Sequence, residues 1–393
     1  ILNADEFRQR ARERNITIQD LGNNTDWFRE LTRTAVSHNN SLSVSGGTEK
    51  SNYRASVTYL NQPGVALNSG FDRLNARLNM NQKALNDKLD IQFLVSANTS
   101  KRNFIQYDAF RSALRINPTL PVFNEDGTFF QPTGFEIENP VARAAQLTDQ
   151  RRDNQFLLNS KLFYEIIDGL RVGVNGSFSI YTENGTRFTP SSYQGFGNRL
   201  SRGERYSREV QDRLVEATLS YNKTFGQHRL ELLGGYTYQQ LTNEGFGADN
   251  RDFPDVFGAN NIGVGEFNAD GTFLGGVRSF RSEARLDGLL GRVGYYFADK
   301  YLLTANFRRD GSSRFGANNR YAFFPSISLG WAISQEEFMK GVTFVSNLKL
   351  RAGYGVTGNQ DGIADYASRQ LYGPTGFFFS NGGYRRAYNF IQN

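Results

Sequence analysis

Strict alternation of apolar and polar side chains is the feature that most constrains this chain. Between Tyr301 and Gly358 it occurs three times. Tyr301, Leu303, Ala305 and Phe307 alternate with Thr304, Asn306 and Arg308. Ile327, Leu329, Trp331 and Ile333 alternate with Ser326, Ser328 and Gly330. Leu348, Leu350, Ala352 and Tyr354 alternate with Asn347, Lys349, Arg351 and Gly353. Successive side chains of a β-strand point to opposite faces, so a period of two predicts strands. Arginine and lysine on the second face predict that this face meets water. An apolar band, a wet opposite face and aromatics near strand ends together describe the wall of a transmembrane β-barrel.

The same pattern predicts further strands at 41–47, 51–60, 71–82, 89–99, 154–166, 171–182, 212–224, 228–241 and 284–297. That makes about twelve, each near the ~10 residues a tilted strand needs to cross a bilayer. An arginine or lysine at the lipid midplane costs ~2–4 kcal/mol, so the parity of the cations marks the lumen side. Arg54, Arg73, Arg77, Lys161, Arg171, Arg213, Arg229, Lys349 and Arg351 are assigned to the lumen on this basis. The 284–297 strand breaks the rule, because Leu286 and Leu290 share parity with Arg292. A bulge near Gly288 or Gly291 would restore it.

Connection lengths alternate as well. Short ones at 48–50, 84–88, 167–170, 225–227 and 298–300 alternate with long ones at 61–70, 101–152, 183–210 and 242–283. The expected division is a short helix and irregular lead-in over 1–40, and barrel strands over 41–357. Loops 101–152, 183–210 and 242–283 are expected outside the cell, and 358–393 is expected to begin a further external loop. Short turns face the periplasm in outer-membrane barrels. Phe225, Phe297, Tyr301 and Trp331 then fall at the periplasmic interface, with Tyr181, Tyr238 and Phe307 nearer the outer one. Pro325, which has no amide hydrogen for a ladder, is expected at the external rim. Short helices are predicted at 2–14 (Asn3 as N-cap), 108–118 and 139–150 (Asn139 as N-cap, Pro140 at N1). Asp-Gly turns are predicted within FNEDGTFF (123–130) and FNADGTFL (267–274), and a capping box at Ser334 with Glu337.

Several function classes are disfavoured. The 393 residues contain no run of 18 apolar residues, which argues against a membrane-spanning helix. Mean hydropathy is −0.54, which a barrel tolerates because half of each strand faces water. The net charge of +6 is spread along alternating positions and loops, with no tract suited to nucleic acid. No cysteine is present, and His38 and His228 have no partner at ligand spacing. Asp249, Asp252 and Asp255, and Asp361 with Asp365, lack calcium-loop spacing and read as solvated loop charge. GYGVTG (353–358) matches a dinucleotide fingerprint, but no apolar-periodic helix follows it. No catalytic constellation and no cofactor motif emerges.

Three blocks carry a family resemblance: NTDWFRELTRTAVSHNNSLSVSGGTEKSNYRASVTYLNQPGV (24–65), KYLLTANFRRDGSSRFGANNRYAFFPSISLGWAISQEEF (300–338) and SNLKLRAGYGVTGNQ (346–360). In order and spacing they resemble the SusC/RagA group of TonB-dependent outer-membrane transporters of Bacteroidota. The resemblance implies an all-β, antiparallel barrel of about 22 strands, of which this chain supplies roughly half. It also implies a plug domain, a TonB complex acting on that plug, and a SusD-like surface lipoprotein as a lid. The function implied is energy-coupled import of an oligosaccharide or peptide. Neither plug nor TonB box is recognisable here, so the chain reads as an internal barrel portion, expected not to insert alone as a heat-modifiable monomer. Tyr107, Phe110, Phe129 and Phe130 are the loop aromatics suited to stacking on a ligand, and Arg111 and Asp361 are suited to orienting it. A passive porin and a structural or adhesive surface barrel are the alternatives.

Overall fold

The computed structural model describes residues 2–133, 138–195, 200–267 and 275–391. Its main element is one antiparallel sheet of 12 strands in sequential order. They are β1 (His38–Gly47), β2 (Ser51–Pro63), β3 (Gly70–Ala84), β4 (Leu89–Asn103), β5 (Thr148–Ile167) and β6 (Leu170–Thr189), followed by β7 (Arg202–Phe225), β8 (His228–Arg251), β9 (Gly276–Phe297), β10 (Tyr301–Ser312), β11 (Tyr321–Trp331) and β12 (Leu350–Gly355). Each strand pairs with its sequence neighbours, while β1 and β12 have one neighbour each, so the sheet is not closed. A separate hairpin, β13 (Leu371–Ser380) with β14 (Gly383–Ile391), lies in the stretch after β12.

The middle strands run well past their apolar stretches. β5 to β9 are 20 to 24 residues long. They take in residues 148–153, 183–189, 202–211, 242–251 and 276–283, which sequence reading leaves in loops. The observed long connections are correspondingly 104–147, 190–201 and 252–275. At the other end the turns are tight. Ala298 and Asp299 both have positive φ, 54° and 53°, the mirror-image turn whose twist matches a hairpin.

Cross-strand register divides the side chains into two faces. Val57, Ala76, Ala97, Phe156 and Ile180 form one continuous row, and Ala217, Tyr236 and Leu289 another. Both rows lie on an apolar face that reaches β12 through Ala305, Ile327 and Tyr354. The expected bulge in β9 is absent: both of its registers run unbroken through Gly288 and Gly291. Leu286 and Leu290 therefore sit on the polar face with Arg292. Gly291 has a different role, because a Cβ there would run into the Phe307 ring on the neighbouring strand.

At the short-turn end an aromatic row closes the apolar face. Phe225 stacks on His228 at 5.4 Å, His228 meets Phe297 at 4.9 Å, and Phe297 meets Tyr301 at 6.3 Å. The 332–349 connection holds two 3-10 turns, Ile333–Gln335 and Glu337–Met339, in place of the expected capping box. Glu336 between them accepts from Tyr301 Oη (2.7 Å), Trp331 Nε1 (3.0 Å) and Lys300 Nζ (3.0 Å). Pro325 is not at the rim. It pairs with Phe307 inside the β10–β11 ladder, and its carbonyl accepts from Val356 where the β12 ladder ends. Its missing amide hydrogen falls where a donor is no longer required.

The one apolar core cluster among the described residues lies beyond the long-connection end. There α1 (Ala4–Glu13), α2 (Trp27–Glu30), α3 (Tyr107–Ala113) and α4 (Pro140–Gln146) form a cap with the loops beside them. Trp27, Leu31, Ala109, Ala113, Ile116, Leu120, Val141 and Ala144 are its centre. Asn3 and Glu6 complete a capping box on α1, and Asn139 caps α4 by accepting from Val141 and Ala142. The same Asn139 donates to Val122 O and Phe130 O, both at 2.9 Å. Phe123 pairs with Phe129 around the Asp126–Gly127 turn. The second Asp-Gly turn, at Asp270–Gly271, lies outside the described residues.

Candidate functional site

The polar face of the sheet is the candidate site, built by side chains that satisfy one another across strands. Asn81 donates to Asn52 (2.8 Å), Asn159 to Asn175 (2.9 Å), Asn175 to Glu216 (2.6 Å), and Gln239 to both oxygens of Asp212 (2.9 and 3.0 Å). A hollow on this face is lined by Thr58, Arg73, Asn75, Ser96, Asn98 and Gln155. Such a surface offers many weak hydrogen-bonding sites to a hydrated solute.

Of the residues assigned to the lumen, Arg54, Arg73, Arg77, Lys161, Arg171, Arg229 and Arg351 lie on the polar face by register. Arg171 pairs with Asp90 at 3.0 Å and covers the Phe163 ring at 4.3 Å. Arg229 lies 4.1 Å from the Tyr296 ring centre. Lys349 precedes β12, and its Cε would be 3.4 Å from a Cβ at Gly330, a polar-face position. Arg213 is the correction. It is opposite Phe178 on β6 and shares the apolar face with Val215, Ala217 and Leu219. Leu214 and Val215 are both apolar, and parity counted from Leu214 sends Arg213 to the wrong side. Arg213 is where the apolar face of β7 gives way to Gln211 and Glu209. Tyr181 is turned the opposite way from the interface position expected for it: on the polar face it donates to Asp153 at 2.8 Å and Glu183 at 3.1 Å.

Sequence reading also missed a charged belt on the extended ends of β5 to β9. Arg151 lies 3.2 Å from Asp153 and 3.5 Å from Glu183. Arg187 bridges Asp149 (3.5 Å) and Glu204 (3.1 Å), and Arg278 joins Glu204 to Asp249 (3.6 Å). The belt crosses five strands on the polar face. Its signal was present in period-two pairs such as Arg151/Asp153, with no apolar partner face to make it read as strand.

The six loop candidates are not brought together. Phe110, Phe129 and Phe130 pack against the cap's core, with Phe110 edge-on to Phe28 at 5.3 Å and Phe129 beside Phe123 at 5.0 Å. Tyr107 is 79 % exposed, and Arg111 is paired with Asp108 at 3.1 Å. Asp361 is exposed in a different loop, beyond β12. The acidic loop residues have protein partners: Asp255 accepts from Ser191 and Ser192, and Arg314 pairs with Asp365. No group of metal-ligating side chains occurs among the described residues.

Comparison with known proteins agrees with this geometry. The family described as TonB dependent receptor-like, beta-barrel matches residues 90–389. TonB-dependent receptor P3 of Formosa agariphila is 33 % identical over 370 residues, covering 91 % of this chain and 36 % of that protein. TonB-dependent receptor SusC of Bacteroides thetaiotaomicron is 30 % identical over 408 residues, covering 95 % and 39 %. The RagAB peptide transporter structure superposes with a TM-score of 0.79 at 21 % identity, over 95 % of this chain and 42 % of that one, a likeness of fold. The chain thus spans little more than a third of the curated relatives it matches. Proteins of this family are outer-membrane transporters and not enzymes. With the alternating wall, the polar lattice and the family match together, the chain belongs to the TonB-dependent receptor-like β-barrel family, and SusC is among its relatives.

Proposed function

We propose that this chain forms wall and external loops of an importer that draws an oligomeric nutrient, oligosaccharide or peptide, across the outer membrane with energy delivered through TonB. The apolar face meets lipid, the polar face lines the lumen, the tight turns face the periplasm and the cap faces outward under a SusD-like lipoprotein. The observation that carries this reading is the register: along the middle of the twelve strands one face is predominantly polar and the other predominantly apolar. The similarity to SusC, and the fold shared with the RagAB peptide transporter, support the coupling, the lid and the oligomeric substrate.

The test is uptake of labelled oligosaccharides and peptides by cells carrying the full-length receptor, with and without TonB. Import lost without TonB, together with co-purification of a surface lipoprotein, is the expected result. Solute flux that persists without TonB, as conductance through the purified protein in a planar bilayer, would replace this reading by a passive porin. The absence of both uptake and conductance would leave a surface barrel of structural or adhesive role.

A further inference from the structure

Two neighbouring cations on the apolar side of the wall make no ion pair with any described carboxylate. Lys101 on β4 and Arg152 on β5 stand directly opposite each other in the ladder. Lys101 continues the line of Ala97 and Thr99, and Arg152 that of Phe156 and Asn154, so both project from the apolar face. Like charges directly opposite are destabilising in a sheet. Both side chains are exposed, and no carboxylate among the described residues is within ion-pair distance of either. Asp72, next in the row on β3, instead accepts from Asn61 at 2.5 Å.

Below the pair lies a groove on the same face, lined by Leu74, Ala76, Ala97, Phe156 and Ile180, with Thr99, Asn154 and Thr182 at its upper end. Lys101 is four residues beyond Ala97. At ~3.3 Å per residue and a tilt of ~40°, that is about 10 Å further toward the long-connection end. The cations therefore stand at headgroup depth over a slot at acyl-chain depth.

We propose that Lys101 and Arg152 bind the phosphate of an anionic outer-leaflet lipid, with one of its acyl chains in the groove beneath. Arginine's planar fork and the lysine ammonium together match a phosphate. A zwitterionic headgroup would bring its own amine against two positive charges, so the site selects net negative charge. The proposal rests on the reading that the apolar face meets lipid and the long-connection end is external.

The experiment uses the full-length receptor in nanodiscs. Retention of phosphorylated lipid A is compared with retention of the same lipid A after phosphatase treatment, by native mass spectrometry. A preference for the phosphorylated form of roughly tenfold or more is expected, from two basic side chains near the surface. Lys101→Gln with Arg152→Gln should abolish it, and Lys101→Arg with Arg152→Lys should retain most of it. No preference in the wild type, or a preference unchanged in the glutamine variant, overturns the site. A Phe156→Trp reporter with brominated acyl chains tests the underlying reading separately. Quenching without a phosphate preference rejects the lipid site alone, and absence of quenching rejects the lipid-facing assignment and the site with it.

Discussion

Leu31, in the cap, is wholly enclosed by protein, whereas Leu42, on β1 of the wall, is 73 % exposed. Both are apolar residues of one chain, yet only the first is buried by its own fold. The cap behaves as a small globular unit, with an apolar centre and capped helices. The wall has backbone ladders and no interior, and on the proposed function its apolar side chains find their apolar surroundings in lipid. Polar residues divide likewise. Glu138 in the cap is fully buried, receiving bonds from Tyr193, from Arg143 at 2.5 Å and from Ser112 at 3.3 Å. Arg308 and Asp310 on the wall form an equally short pair at 2.6 Å with half of the arginine side chain in solvent.

The largest effect should follow from Glu138→Ala, which removes a fully buried acceptor shared by Tyr193, Ser112 and Arg143 while Asp108 still pairs with Arg143, and should destabilise the cap locally by about 3–5 kcal/mol. Hydrogen exchange should show opening at Ala109 and Ala113 while the ladders of β6 to β8 keep their protection. If those ladders open too, cap and wall are one cooperative unit. Next, Val215→Arg places a charge in the apolar band and should cost about 2–4 kcal/mol. The readout is the heat-modifiable fraction in outer-membrane preparations, with polar-face Ser177→Arg expected to leave it nearly unchanged. Equal losses in both variants would refute the division into faces. Arg308→Ala, on the exposed pair, should change stability by under about 1 kcal/mol in the same assay.

The smallest effect is one of pH. Hydrogen bonds from Tyr301, Trp331 and Lys300 hold the Glu336 carboxyl down at about 2. A depressed carboxylate contributes stability above its ordinary value near 4.5 and loses it as pH falls through about 2. Glu336→Gln should therefore lower the unfolding midpoint at neutral pH, and its gap to the wild type should close between pH 4.5 and 2. A gap that stays constant over that range would show that the carboxylate's charge contributes nothing there.

The contrast also explains what could be read in advance. Where one face is apolar, period two gave each strand, and it gave nearly every cation its place on the polar face. It failed at the Leu214–Val215 doublet, which hid the true parity of Arg213, and at Leu286 and Leu290, because the polar face admits leucine. Above the apolar band both faces are polar, the alternation disappears, and residues such as Arg187, Glu204 and Arg278 read as loop. Phe110, Phe129 and Phe130 looked like ligand-stacking aromatics because a single sequence does not show that Trp27 and Leu31, far away in the chain, need them as packing partners.

The length of β7 and β8 has a consequence of its own. Twenty-four residues at ~3.3 Å each, inclined by ~40°, reach roughly 60 Å along the axis, more than twice the ~25 Å greasy zone. On the proposed function, the part of the wall around β7 and β8 thus stands well clear of the bilayer. A flexible polymer passing along that wall in the proposed importer would have several of its units beside it before the first came level with the lipid, which would sort cargo by contour length as well as by chemistry.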